Sequence, residues 1–227
     1  MGVEVRAHRP TLLVLAGVAV LAVGFLIGAL VQPAGQGASH RVPEASSVDV
    51  GFAQDMTVHH RQAVQMANTE IGSSDPVVSS LAFDIASTQQ VQIGQMQGWL
   101  SLWGHPLLPS AGYMGWMAAD ARTTGDHGGH TPDRSAATIT TMPGMATSAE
   151  LTRLRQATGP ARDVLFLQLM LRHHEGGTSM LDHAAQHARE PAVQAFATQL
   201  AGSQRAEVLT MTGLLAQRGA QPLPVGG

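Results

Sequence analysis

Hydrophobic positions follow two regimes along this chain. Residues 11–31 form one unbroken apolar run, T-L-L-V-L-A-G-V-A-V-L-A-V-G-F-L-I-G-A-L-V, with no charge in it. About 20 such residues are what a helix needs to cross a bilayer, so the run predicts a transmembrane anchor or a signal sequence. Beyond it, apolar positions recur at three- and four-residue steps, the period of a helix with one buried face. The stripe Val78, Ala82, Ile85, Gln89, Ile93, Met96, Leu100, Trp103 is the plainest case.

Start and stop signals cut this second regime into helices. Ser47 as N-cap and Gly72 as stop predict a helix over 48–71. Asp75-Pro76, an N-cap followed by proline at the first helical position, starts a second, which Gly104 to Pro106 ends. Thr147 with Glu150 three residues on fits a capping box for a short helix over 148–158. Two further helices are predicted over 160–189 and 191–218, the last closed by Gly219. Between 105 and 147 the periodicity dissolves into Gly, Thr, Pro, His and Met, which predicts a long mobile loop with one helical turn near 114–122.

The helices repeat. F-A-Q-D-M-T-V-H-H-R-Q-A-V-Q-M at 52–66 returns at 166–180 as F-L-Q-L-M-L-R-H-H-E-G-G-T-S-M. Gln89, Gln92, Ile93, Met96 and Leu100 likewise correspond to Gln204, Glu207, Val208, Met211 and Leu215, and Pro76 matches Pro191 between the two blocks. A constant offset shared by such uncommon residues marks an internal duplication. Two duplicated helical hairpins predict an all-α, antiparallel four-helix bundle. It spans 48–219, with repeat one at 48–104, a loop at 105–147, repeat two at 148–219 and a tail at 220–227.

The N-terminal run sets the compartment. Arg6 and Arg9 precede it, so the positive-inside bias puts residues 1–10 in the cytoplasm and everything after 31 outside. The run is longer than the apolar region of a usual signal sequence and no small-x-small cleavage site follows, which favours an uncleaved anchor. Gly24 and Gly28, with Gly17 nearly on the same face, form a G-x-x-x-G pattern able to pair two anchors in a homodimer. Residues 32–47 are rich in Gly, Pro, Ala and Ser and read as a flexible tether.

Composition narrows the chemistry. A formal net charge of −3, 13% charged and 4% aromatic residues leave no polyanion-binding surface and no base-stacking platform, so nucleic acid is excluded as a partner. Eleven histidines and eleven methionines stand against no cysteine. There is no thiolate site, disulfide or cysteine nucleophile, and the soft ligands are thioethers.

On a helix, Met56, His59, His60, Ala63 and Met66 share one stripe, as do Met170, His173, His174, Gly177 and Met180. Adjacent histidines lie about 100° apart around the axis. One ring of each pair therefore faces the bundle axis and the other a neighbouring helix. Ala63 and Gly177 leave room at the same place in each stripe. A single Met or His there would be core filling; four imidazoles buried in one small bundle need an ion or a charge to satisfy them. His183 and His187 add an i, i+4 chelating pair on the face of Met180. His127, His130, Met142 and Met145 in the loop can wrap an ion. Imidazole with thioether and no thiolate suits copper, as Cu(I) or Cu(II), with zinc or nickel on the histidines alone as the fallback. A di-iron site needs Glu-x-x-His, and no such pair occurs. His174-Glu175 opens an H-E-x-x-H pattern that Thr178 breaks. No motif argues for an enzyme.

These runs, with Q-Q-V-Q-I-G-Q-M-Q-G-W-L and M-P-G-M-A-T-S-A-E-L, resemble the "domain of unknown function 305" family over about 49–219. The resemblance implies a ferritin-like four-helix bundle, export, and the copper binding of some members. It carries position by position to Met56, His59, His60, Met66, Met170, His173, His174 and Met180. The family's Q-x-x-E-I block keeps its acid at Glu207 and has Gln92 instead in the first half. The expectation is a membrane-tethered, extracytoplasmic protein that sequesters or transfers copper. The alternative is a metal-free helical module whose His-Met face receives a protein or peptide partner.

Overall fold

A computed structural model describes residues 42–110, 112–120 and 139–225. The predicted anchor at 11–31, most of the tether, and His127 and His130 lie outside these residues. Among the described residues no helix is long and apolar enough to cross a membrane. Six helices are described: α1 Val48–Asn68, α2 Pro76–Leu102, α3 Gly115–Asp120, α4 Ser148–Gln156, α5 Gly159–His187 and α6 Pro191–Gln217. Apart from the isolated antiparallel bridge Tyr113–Ile139, the described residues are helix, turn and loop.

The helix starts follow local chemistry. Ser47 accepts from the Val50 amide, and the Asp75 carboxylate accepts from Val77 and Val78 with Pro76 just inside the helix. Both halves of the Thr147/Glu150 capping box are made. α6 is started differently: Glu190 gives no side-chain cap. Instead the buried Asp49 carboxylate reaches across from α1 and accepts from the Arg189 and Glu190 amides at 2.9–3.2 Å. α1 ends at Asn68, three residues short of the predicted end at 71, because Thr69 caps it by donating its hydroxyl to Met66 O at 2.7 Å.

α1 packs on α2, α5 on α6, and the two hairpins join through α1 and α5. These central helices are antiparallel, since the start of α1 meets the end of α5 at Asp49–Arg189. At the opposite end Ser73 donates to Asp163 at 2.7 Å, and buried Glu70 pairs with Arg162 at 2.9 Å. Burial pushes the Glu70 pKa up to about 7. Asp75 at the head of α2 pairs with Arg218 just past α6.

Two apolar clusters form the core. One gathers Phe52, Met56, Met96, Leu100, Met180 and Phe196; the other gathers Met66, Ile85, Phe166, Met170, Met211 and Leu215. Duplication makes them counterparts, with Phe52, Met56 and Met96 in one where Phe166, Met170 and Met211 stand in the other.

The connection between repeats is less loose than its composition predicts. Asp55, buried in α1, accepts from the Met114 amide at 2.7 Å and the Trp116 indole at 2.8 Å. Trp116 lies against Gly51, where a Cβ would come within 2.5 Å of its ring. Gln62 clamps residue 146 in both directions, donating to Ala146 O at 2.9 Å and accepting from its amide at 2.6 Å. A mobile loop over all of 105–147 is thus corrected: 113–117 and 142–147 are fastened to α1 by side chains that composition does not weigh.

Candidate metal centre

Between the two apolar clusters lies a polar layer made by the repeated histidines. His59, His60, His173 and His174 are each at most 1% exposed. The adjacent pairs split as helix geometry requires. His59 and His173 face each other across the α1–α5 contact, with ring centroids 3.7 Å apart. His60 turns toward α2, where its Nε2 lies 2.9 Å from Gln92 Oε1. His174 turns toward α6, where its Nε2 lies 2.5 Å from Glu207 Oε2. His173 Nε2 lies 3.1 Å from the backbone oxygen of His59.

Small residues make this approach fit. A Cβ on Gly177 would stand 3.0 Å from His59 Cε1. Gly176 does the same for the loop above: its Cβ would meet Pro143 C and O at 2.4 Å. The M-P-G-M turn therefore crosses α5 backbone to backbone, and Gly144 takes φ +77° there. Met142, one of the loop's four predicted ligands, is buried in the same apolar cluster as Met56 and Met180.

The layer is electrostatically unusual. Burial drives the His59 and His60 pKa values down to about 3, and neighbouring imidazoles add to the effect. The Pro143 backbone pulls His59 only partly back. His173 lies well below the ordinary range for the same reason, burial first and then His59. These imidazoles are neutral at pH 7, the form that binds metals. Several of their nitrogens are buried without a well-formed hydrogen bond: Nδ1 of His60, His173 and His174, and both nitrogens of His59. The amide oxygens of Gln89 and Gln204 share this condition. Orphaned polar atoms at this density in a helical core ask for an explanation.

Methionines bracket the layer, Met56 with Met180 on one side and Met66 with Met170 on the other, all fully buried. Imidazole and thioether are the donors copper accepts, and the open Nδ1 lone pairs fit it. In the conformation described, no three His, Asp or Glu side chains converge on a common point among the described residues.

His183 and His187 stand apart from this layer. Ten residues separate His173 from His183, about 15 Å along the helix. Their rings pair at 4.3 Å, and Trp116 packs on His183 edge to face at 5.5 Å. Sequence reasoning did not anticipate Asp55, nor the contacts of Gln92 and Glu207. The matching Q-x-x-[QE] spacing was the available signal for the latter pair.

Arg172, next to His173, grips Glu150 through two bonds of 2.8–2.9 Å. That grip holds the Glu150 pKa down to about 2 and seats α4 on α5.

Comparison with known proteins places this arrangement in context. A family model described as "Domain of unknown function (DUF305)" matches residues 49–215. Among solved structures, a presumed secreted DUF305 protein from Streptomyces coelicolor is 37% identical, with a TM-score of 0.68 over 80% of this chain and 99% of that one. A DUF305 fragment from Deinococcus radiodurans is 31% identical, with a TM-score of 0.58 over 77% and 99%. CopM in its Cu(I)-bound form shares the fold at 20% identity, with a TM-score of 0.53 over 74% and 96%. CopM has also been solved in Cu(II)-bound and silver-bound forms. A search of curated proteins gave no match.

Proposed function

We propose that this chain, which belongs to the DUF305 family, is an extracytoplasmic copper-binding protein that sequesters copper or hands it on, without enzymatic turnover. The observation that carries the reading is the layer of four buried imidazoles with unpartnered nitrogens, set between two pairs of buried methionines. A merely structural role would leave those nitrogens unsatisfied at a cost of about 1–3 kcal/mol each. A soft ion would relieve that cost.

His59, His60, His173 and His174 would hold the metal, with Met56, Met66, Met170 and Met180 as thioether ligands or the wall of the site. Thioethers favour Cu(I) and imidazoles accept Cu(II). CopM, a protein of the same fold, takes up both states of copper, and silver, the usual mimic of Cu(I). His183 and His187 form a separate, more accessible pair on the same helix, suited to transient capture. The secreted description of the Streptomyces relative and the charge-free run behind Arg6 and Arg9 support a domain outside the membrane, tethered by residues 11–31.

The test is a titration of the full chain in detergent with Cu(I) against a competing chelator, and separately with Cu(II). His173→Ala/His174→Ala and His183→Ala/His187→Ala variants are run alongside, with circular dichroism to establish that the helices persist. The expected result is tight Cu(I) binding that the first variant loses and the second largely keeps. Binding unchanged in the first variant, or absent from the parent chain, would overturn the assignment.

A further inference from the structure

We propose that copper meets this layer through Nδ1, not Nε2, of His60, His173 and His174, and that Glu207 is a positioning residue that makes the second repeat the stronger half. The inference rests on the copper reading above and specifies its atoms. In each of the three rings, Nε2 faces an oxygen that brings no proton: Gln92 Oε1, the His59 carbonyl and the Glu207 carboxylate. Each contact is a hydrogen bond only if Nε2–H donates. A neutral imidazole carrying its proton on Nε2 has its lone pair on Nδ1. That nitrogen is the one left buried and unpartnered in all three rings. Ligation through Nε2 would break three bonds and strand three acceptors; ligation through Nδ1 breaks none.

Positions 92 and 207 are equivalent in the duplication, yet one is an amide and the other an acid. A carboxylate draws the Nε2 proton more strongly than a carboxamide does, because its charge assists the hydrogen bond. The pull raises electron density on the opposite nitrogen and fixes the ring, the way outer carboxylates tune metal-binding histidines. His174 also borders a cavity of about 300 Å³ shared with Thr178, Leu181, Gln204 and Val208. The ring backed by the carboxylate therefore adjoins space through which an ion can approach. Glu207 touches no metal in this scheme and acts through His174.

Two measurements on the full chain test the inference. In metal-free protein labelled with ¹⁵N-histidine, long-range ¹H–¹⁵N spectra are expected to give protonated Nε2 and bare Nδ1 at His60, His173 and His174. Silver(I) should then shift the Nδ1 signals. A Nδ1–H tautomer at His173 and His174, or a silver shift on Nε2, would overturn the proposal. In Cu(I) competition, Glu207→Gln keeps an acceptor and loses only the charge. It should weaken binding about ten-fold with melting unchanged, and Gln92→Glu should tighten it by a similar factor. A parent chain that binds Cu(I) while both variants match it would sink the role of Glu207 and leave the copper reading standing. A parent chain that binds neither ion would overturn both.

Discussion

A neutral imidazole in an apolar bundle is stable only while it stays neutral, and that gives the histidine layer a pH signature. Folded His59 and His60 titrate near pH 3, whereas an unfolded histidine titrates near 6.5. Above pH 6.5 neither state is protonated there and the layer has no pH dependence. As pH falls below 6.5 the unfolded chain gains protons that the folded one refuses, so stability is lost down to about pH 3. Each such histidine contributes a slope of about 1.4 kcal/mol per pH unit, and His173 acts in the same direction. Glu70, whose folded pKa is raised to about 7, works oppositely between 4.5 and 7 and offsets part of the loss. Urea unfolding of the metal-free chain should therefore give a midpoint that falls steeply from pH 6.5 to 4.5; a flat profile would mean that the layer opens to water. The methionines make a second prediction. Met56→Leu with Met180→Leu conserves volume and should cost less than about 1.5 kcal/mol per site in thermal unfolding. Cu(I) affinity should nonetheless fall while Cu(II) affinity holds, because only the soft ion gains from thioether. At this scale the duplicated histidines and methionines were legible from spacing, and the split of each pair followed from 100° per residue. Which rings face each other was not, because that depends on how two helices cross.

Among the elements, α1 and α5 do most of the organising. α1 is polar where a core helix is expected to be apolar: Asp49 starts α6, Asp55 holds Trp116 and Met114, and Gln62 holds residue 146. Asp55→Ala would leave a buried indole N–H and a backbone amide without an acceptor. The expected cost is about 3 kcal/mol, read by chemical denaturation, with Trp116 fluorescence moving to longer wavelength as 113–117 lifts away. α5 depends on close backbone approach. Gly176→Ala would drive a Cβ to within 2.4 Å of rigid Pro143 backbone and should destabilise by about 1–3 kcal/mol. Gly202→Ala on α6 meets nothing within 4 Å and should stabilise by about 0.5–1 kcal/mol through helix propensity alone. Differential scanning calorimetry of the two variants should move the melting point in opposite directions. Helix boundaries were readable to within a few residues because caps are local chemistry. The docking of the inter-repeat segment was not, because Asp55 and Gln62 are in contact with partners 59 to 84 residues away.

At the scale of the molecule, duplication explains why the site sits where it does. Two copies of one hairpin, packed antiparallel through their first helices, bring His59 onto His173 near the middle of the contact. The same operation puts Met56 and Met180 in one apolar cluster and Met66 and Met170 in the other. A face that a single hairpin would expose becomes a buried layer with a near-symmetrical donor set. The copies diverge at that layer at Gln92/Glu207 and at Ala63/Gly177. The duplication was written in the sequence, whereas the two separate apolar clusters and the polar layer between them appear only once the hairpins are joined. The most direct test of this account is a crystal structure of the copper-loaded chain with anomalous data at the copper edge. The account predicts a peak between α1 and α5 at the level of His59 and His173, within bonding distance of imidazole nitrogen. A peak confined to His183 and His187, or to residues outside the histidine layer, would contradict it.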